Sequence, residues 1–447
     1  MRSFRSASIL LSGISFLALS FSMAQASSFS LRSAQSAEGL GMAFAGAASG
    51  GIGMGSIGWN PATITMFPGR NSQWNLTYIY PQAEYDIDAR TIANATAVGG
   101  VPVGSGGIGG KGSMVPASYS AWQLSDRFWV GMTSGSPWGL RSKPENQNFA
   151  GQIYGKSSKV VSNNITPTAG LKINDWLSIG AGVQLQYFKA ELKQALGVGA
   201  GAPSSILEGD SFSFGYRLGM TLTPWEGGTI GVGYRSSIRH ELDGNFTTPI
   251  RLNGLVGPGS SPIKANLNLP DSVVVGFSQQ LNQQWQVHLG GEWTNWSRFR
   301  RIPVVLDQFN VPLTSLNFEY DDSWFFSGGL EYAYDPQWTF RAGVAYELSA
   351  VSDRVRTVRI SDNDRLWTSV GASYQWSEKL KVDFGYSHLF VKDAPVNIGP
   401  GHPDYNPARP VIFSGKAKPS VDVVSMALTY RWDDPAPSRS APLVRKY

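Results

Sequence analysis

The chemistry that enzymes use is thinly represented in this 447-residue chain. It has no Cys, which removes disulfides, thiolate metal sites and thiol catalysis together. Its four His are His240, His288, His388 and His402, and none stands at a spacing that would build a nucleophile and base or a metal site. No catalytic group, no metal and no cofactor is therefore expected. Two residues, Pro137 and Gly139, could act on a sheet rather than on a substrate. One lacks a backbone N–H and the other lacks a side chain, so the pair either opens a hydrogen-bonded wall or ends a strand at its rim. Charged residues make up 15% of the chain, with 51 Gly, 22 Phe, 17 Tyr and 15 Trp. Ordinary globular domains carry about 25% charge, so a cytosolic enzyme is a poor match and a large β protein is left.

The elements that must position these residues begin after a leader. Arg2 and Arg5 form a basic region, Ile9 to Phe21 a short apolar one, and Ala24-Gln25-Ala26 a small-x-small cleavage site, so residues 1–26 read as a signal peptide. Losing two Arg with the leader lowers the formal net charge of +5 by two. That balance argues for neither nucleic acid nor a polybasic membrane patch. No run of about 18 apolar residues follows, which excludes a bundle of transmembrane helices.

From Gln73 to Trp432 apolar and small or polar residues alternate, the period of a strand with two unlike faces. Between Phe212 and Leu222 one face reads Phe212, Phe214, Tyr216, Leu218, Met220 and Leu222, while the other reads Ser213, Gly215, Arg217, Gly219 and Thr221. Lone charges among glycines suggest a wide watered interior, and aromatic residues at strand ends suggest the girdles of an outer-membrane barrel. Closure into a barrel also satisfies every backbone group in lipid. Fourteen strands are expected, starting near residues 73, 114, 127, 158, 175, 211, 228, 266, 284, 318, 337, 365, 380 and 417. Tight turns at Asn174-Asp175, Asn282-Gln283 and Asp335-Pro336 alternate with long Gly/Pro/Ser-rich connections, among them 241–265 and 299–316. Residues 27–70 are rich in Ala and Gly without alternation and read as a plug, since a barrel of this size would otherwise be an open pore. Residues 433–447 read as a disordered periplasmic tail. The fold class is thus all-β, a 14-stranded antiparallel transmembrane barrel over 71–432 with an N-terminal plug in its lumen.

The residues Gly39-Leu40-Gly41, Ala43-Phe44-Ala45-Gly46 and Asn60-Pro61-Ala62, followed by Ile64-Thr65-Met66-Phe67, stand in the order of a family hatch. With Met114-Val115-Pro116, Leu267-Asn268-Leu269-Pro270, Trp293-Thr294-Asn295-Trp296-Ser297 and Asp362-Asn363-Asp364-Arg365-Leu366-Trp367, they make the chain resemble the outer-membrane long-chain fatty-acid transporters, whose relatives include aromatic-hydrocarbon transporters. The resemblance covers essentially the whole mature chain. It implies uptake of a hydrophobic small molecule, captured at outer loops, passed to a pocket at the hatch and released sideways through a kink in the third strand. Outer-membrane lipid and lipopolysaccharide would surround a monomer in a Gram-negative outer membrane.

By the same resemblance Phe29 and Leu31 are ligand-pocket residues, Gly39, Gly41, Asn60, Pro61 and Ala62 form the hatch motif, and Pro137 and Gly139 form the lateral-opening kink. Asn60-Pro61-Ala62 matches the motif that packs beside that kink. Two departures stand out. Gly50-Gly51-Ile52-Gly53-Met54-Gly55 lacks the acidic residues usual there, implying a looser, less polar hatch. The family's pocket arginine falls at Gln194, leaving Lys193 beside it as the candidate cation, although strand parity turns Lys189 and Lys193 outward. Without that cation, aromatic or aliphatic hydrocarbons become the alternative substrate. A general porin and an outer-membrane lipase-type enzyme are the rivals from other classes, the porin disfavoured by residues 27–70 and the lipase by the missing catalytic set.

Overall fold

The computed structural model describes residues 29–98, 108–109, 112–252, 254 and 256–434. The leader with its cleavage site, and residues 435–447 of the tail, lie outside the described residues. Fourteen antiparallel strands close on themselves. They are β1 (Arg70–Ile87), β2 (Ser113–Gln123), β3 (Phe128–Gly135 and Gly139–Ser142), β4 (Ser157–Lys172), β5 (Leu177–Ala195), β6 (Ser204–Trp225) and β7 (Gly228–Arg235 and Ile238–Thr248). Next come β8 (Gly259–Leu269 and Ser272–Gln280), β9 (Trp285–Thr294 and Arg301–Leu306), β10 (Val311–Asn317 and Ser323–Ala333) and β11 (Trp338–Leu348). The last three are β12 (Arg365–Gln375), β13 (Leu380–Val391 and Ala394–Ile398) and β14 (Phe413–Arg431). Pairing of β14 with β1, from Asn71↔Arg431 to Ile87↔Gly415, closes the barrel.

The alternation in sequence becomes two surfaces. Phe212 and Phe214 are 67% and 74% exposed on the outer face of β6, whereas Arg217 between them and the plug is buried. An outward belt of large apolar groups is stable only in lipid, since in water it would be a patch far beyond what a soluble surface carries. The tight turns share one device. Asn174, Asn282 and Asp335 each accept through Oδ1 from the N–H groups two and three residues on, which replaces the ladder at each hairpin tip.

Six strands are interrupted, and the interruptions in four of them set the architecture above the membrane. β7 to β10 break side by side at 236–237, 270–271, 295–300 and 318–322, as the flanking pairs Arg235↔Ser272, Ser272↔Thr294 and Thr294↔Ser323 show. Beyond the breaks the strands continue, so 241–265 and 299–316, expected as connections, are mostly two paired hairpins. Outside the bilayer no lipid selects an apolar outer face. Strand there alternates in the opposite sense, with Ile263, Ala265, Leu267 and Leu269 turned inward and Lys264, Asn266 and Asn268 outward, and the Gly, Pro and Ser around it read as loop.

The plug consists of one helical turn and short 3-10 segments. Helix α1 (Ala37–Gly41) is capped by the Ser36 hydroxyl, which accepts from Gly39 N–H at 3.0 Å. Segments Ala47–Ser49, Gly53–Gly58 and Pro61–Met66 follow, mostly buried up to Ile64, with Met66 exposed at the end. The lumen is therefore filled rather than watered, and the interior glycines have another purpose: they seat this segment. A Cβ on Gly343 of β11 would lie 2.7 Å from the Met42 Cα, and one on Gly371 of β12 would lie 2.8 Å from the Gly41 Cα. Real Cβ atoms do not come so close, so plug backbone rests directly on wall backbone. The Gly50–Gly55 run does not loosen the plug either, because Gly51 packs against His288 and a Cβ on Gly55 would lie 2.7 Å from Ser36. Polarity comes from Glu38 instead, which is buried and paired with Lys381 and Arg341 of the wall.

Candidate functional site

The site begins at the break in β3. Gly135 pairs Asn164 and Gly139 pairs Val161, so the third strand carries one residue more than its partner over that span, a bulge at Ser136-Pro137-Trp138. On its other side β3 pairs β2 only up to Ser118↔Ser134, and Ser113–Ala117 of β2 pair with β1 alone among the described residues. The wall thus has a gap between β2 and β3. Residues 29–31 fill it from inside: Leu31 N–H donates to Pro137 O at 2.9 Å and Gly139 N–H donates to Phe29 O at 2.8 Å. Gln35 completes the seal, donating to Ser136 O at 3.0 Å while its own carbonyl accepts from the Tyr119 hydroxyl at 2.6 Å.

Phe29 points away from the gap into an aromatic cage. Its ring centroid lies 4.8 Å from that of Trp296, 5.2 Å from Phe299 and 5.8 Å from Trp138, near the edge-to-face geometry that aromatic pairs favour. Trp296 and Phe299 come from the interruption in β9, and Phe318 and Tyr320 from that in β10. Above the cage opens a cavity with an empty volume of about 1060 Å³. Its wall is largely aliphatic, with Leu140, Val160, Leu192, Ile263, Leu267 and Val304 contributed by five strands. Three charged residues stand in its lining: Glu208 of β6, and Arg359 and Asp404, which come from long connections.

Arg359 is held by neutral oxygens: Ser157 O, the Ser158 hydroxyl, Lys193 O and the Gln194 side-chain carbonyl, at 3.0 to 3.3 Å. Burial pushes its guanidinium down to about 10, partly opposed by the field of Asp404. Asp404 is displaced the other way, raised by burial against the pull of His402, Asn317 and Arg359. The cavity therefore offers a largely apolar volume with one cation in its lining, whose carboxylate neighbour Asp404 resists ionisation.

The expected site residues fall on both sides of this picture. Phe29 lines the cavity, whereas Leu31 is buried in the plug and faces a lower space. Lys193 does not reach the cavity: Phe188, Ala190 and Leu192 point inward from β5, so the odd-numbered Lys189 and Lys193 point away. The cation arrives from the connection after β11 and docks on Gln194, the position where an arginine was sought. Asn60 caps Ala62 N–H at 3.0 Å and donates to Ala48 O and Met220 O, with Pro61 and Ala62 against Gly180 of β5. That motif secures the plug to the β5–β6 wall, while Phe29–Leu31 and Gln35 occupy the β3 break. Gly39 and Gly41 belong to the seat, against the Phe44 ring and Gly371.

A plugged barrel with a sealed side gap and an apolar outer cavity has known counterparts. The family model described as outer membrane protein transport protein (OMPP1/FadL/TodX) matches residues 17–432. The chain belongs to this family. The long-chain fatty acid transport protein of Escherichia coli O6:H1 (strain CFT073) is 27% identical to it over 419 residues, covering 83% of this chain and 89% of that protein. Outer membrane protein P1 of Haemophilus influenzae (strain Rd KW20) is 25% identical over 392 residues, with 79% and 84% covered. Among solved structures, a FadL homologue of Pseudomonas aeruginosa superposes with a TM-score of 0.80 at 24% identity, covering 91% of this chain and all of that one. The toluene transporter TodX of P. putida superposes at 0.64 with 16% identity, covering 88% and 99%.

As a FadL/TodX-family protein the chain is a transport channel for hydrophobic substrates in the Gram-negative outer membrane. The groups that sequence reasoning missed are Gln35, Trp296, Phe299, Tyr320, Arg359 and Asp404. Only Trp296 carried a signal, in the Trp293-Thr294-Asn295-Trp296-Ser297 stretch that stands among the family matches.

Proposed function

We propose that this channel takes up long-chain fatty acids. The observation that carries the reading is Arg359 in the lining of a largely apolar cavity. A half-buried guanidinium whose hydrogen bonds go to neutral acceptors, beside an Asp404 that burial disfavours as a carboxylate, suits an entering anion, and a carboxylate is its best geometric partner. A neutral arene would fill the apolar volume and leave that charge unmatched. The fatty acid transport function named for the Escherichia coli relative supports the same substrate class. The cage of Trp138, Trp296 and Phe299 favours the second reading, an aromatic or aliphatic hydrocarbon, because edge-to-face contacts need no headgroup.

The proposed route runs from capture in the outer cavity, past Phe29, to lateral release through the β2–β3 gap when residues 29–31 leave the break. In this reading the leader ends at residue 26, residues 27–70 are the hatch, residues 71–432 the barrel and residues 433–447 a periplasmic tail. The barrel works as a monomer with lipid and lipopolysaccharide around it. The test is uptake of radiolabelled oleate and toluene by cells lacking their own transporter, with and without this protein in the outer membrane. Acceleration of oleate, lost in Arg359→Gln and in Gly139→Arg, is the expected result. Acceleration of toluene alone would replace the fatty-acid reading with the hydrocarbon one. Oleate transport by a Gly139→Arg barrel with normal heat-modifiable mobility would remove the lateral exit.

A further inference from the structure

Beneath the aromatic cage lies a second cavity, with an empty volume of about 490 Å³, bounded by Leu31 and Arg32, the plug at Trp59, Pro137 at the break, and Arg217 and Arg235 of the wall. The segment 29–32 divides it from the outer cavity: Phe29 lines the space above, and Leu31 and Arg32 line the space below. Three guanidinium groups face this lower space against one carboxylate, Glu292, which pairs with Arg32 at 2.7 Å. Arg217 finds only neutral acceptors, the Gln184 side-chain carbonyl at 3.0 Å and the Gly58 carbonyl. Arg235 lies with its guanidinium carbon 4.6 Å from the centroid of the Trp138 ring, and its buried Nε has no hydrogen-bond partner among the described residues. Asp271, whose field also reaches Arg235, is engaged by Arg298 at 2.5 Å.

The lower cavity therefore carries a surplus of positive charge. Three guanidinium groups that share the field of one carboxylate are held in the wall at a cost, and an entering anion would offset it. Val274 and Leu31 give the same space an apolar flank, which suits an anion attached to an alkyl chain. We infer that the lower cavity is a second carboxylate site, lined by Arg217 and Arg235, that receives the headgroup of an amphipathic monocarboxylate between the outer cavity and the β2–β3 gap. The inference rests on the fatty-acid reading given above. Trp138 links the two spaces, since one ring meets Phe29 and also carries the Arg235 guanidinium.

Calorimetric titration of the purified full chain in detergent with dodecanoate tests this. Two sites are expected in the wild type, one in Arg235→Gln, and two again in Arg235→Lys, with dodecanol binding unchanged in all three. Arg217→Gln is the second variant and should weaken the lower site roughly tenfold, the worth of one charge-assisted hydrogen bond. In cells, Arg235→Gln should slow oleate uptake and leave methyl oleate uptake intact, provided heat-modifiable mobility shows a folded barrel. Equal loss for both compounds would mean that Arg235 only packs the plug, and the proposal fails. Displacement of dodecanoate from the lower site by millimolar inorganic phosphate would assign it to free anions and also overturn the transit role. A single wild-type dodecanoate site would remove the lower site alone, whereas no dodecanoate binding would remove the fatty-acid reading with it.

Discussion

The two halves of this barrel use the same strands in opposite ways. Below the interruptions in β7 to β10, wall glycines let the plug lie backbone against backbone, with no room for a side chain at Gly231 of β7 or Gly276 of β8. Above them, side chains from the same strands stand apart around an empty volume of about 1060 Å³. The lower half is a fitted joint and the upper half a container. The difference teaches that the interruptions are functional boundaries: they free the outer strand segments from the plug and turn Trp296, Phe299, Phe318 and Tyr320 into the floor of the container.

The largest effect is expected from enlarging a residue in each half. Gly343→Leu forces a side chain into the Met42 backbone and should destabilise the barrel by about 1–3 kcal/mol or more, read as a lower temperature for loss of the folded electrophoretic form. Ala265→Leu, on the cavity wall, should change that temperature little while weakening oleate binding. Equal destabilisation by both would erase the distinction between the halves. Next in size is Phe29→Ala, which removes an apolar contact of roughly 1.5–3 kcal/mol from the cage. Dodecanoate affinity at the outer cavity should fall accordingly, with the plug still seated.

Asn60→Ala should cost about 0.5–2 kcal/mol, the worth of a helix cap, and it leaves Ala48 O and Met220 O without their donor. Hydrogen exchange of the Pro61–Met66 amides should accelerate, and the outer cavity should bind ligand as before. The smallest effect concerns pH. Asp404 is raised by burial and faces Arg359, His402, Tyr154 and Tyr320. Burial lowers His402, which therefore adds little positive charge at neutral pH. While Asp404 is protonated it leaves the charge of Arg359 standing; as pH rises through its titration that charge is cancelled. Dodecanoate binding should weaken several-fold across this interval, toluene binding should not, and Asp404→Asn should flatten the dodecanoate profile.

The lower half was legible in the sequence for the reason that it sits in lipid. An apolar residue at every second position of β6 or β14 is imposed by the bilayer, so fourteen strands could be placed by periodicity alone. The hatch was legible through short motifs, although their physical role became visible only with the wall glycines opposite Met42 and Gly41. Above the membrane the alternation reverses, apolar inward and polar outward as from Ile263 to Leu269, and the Gly, Pro and Ser interleaved with it make the hairpins over 241–265 and 299–316 read as loops. The cation was hidden for a related reason. Arg359 lies in a connection without period, and its link to Gln194 spans 165 positions in sequence. Parity on β5 could turn Lys193 outward, but nothing local to β5 could name the group that replaces it.

The seat beneath Met42 and Gly41 works like a keyway. Shifting the plug along the wall by one residue would drive a side chain into neighbouring backbone on β11 and β12, so it has no stepwise path of withdrawal. Residues 29–35 are attached differently, through a few hydrogen bonds at the β3 break and the ring of Phe29. The proposed route therefore asks movement only of this short tongue, while the stopper behind it keeps its seat.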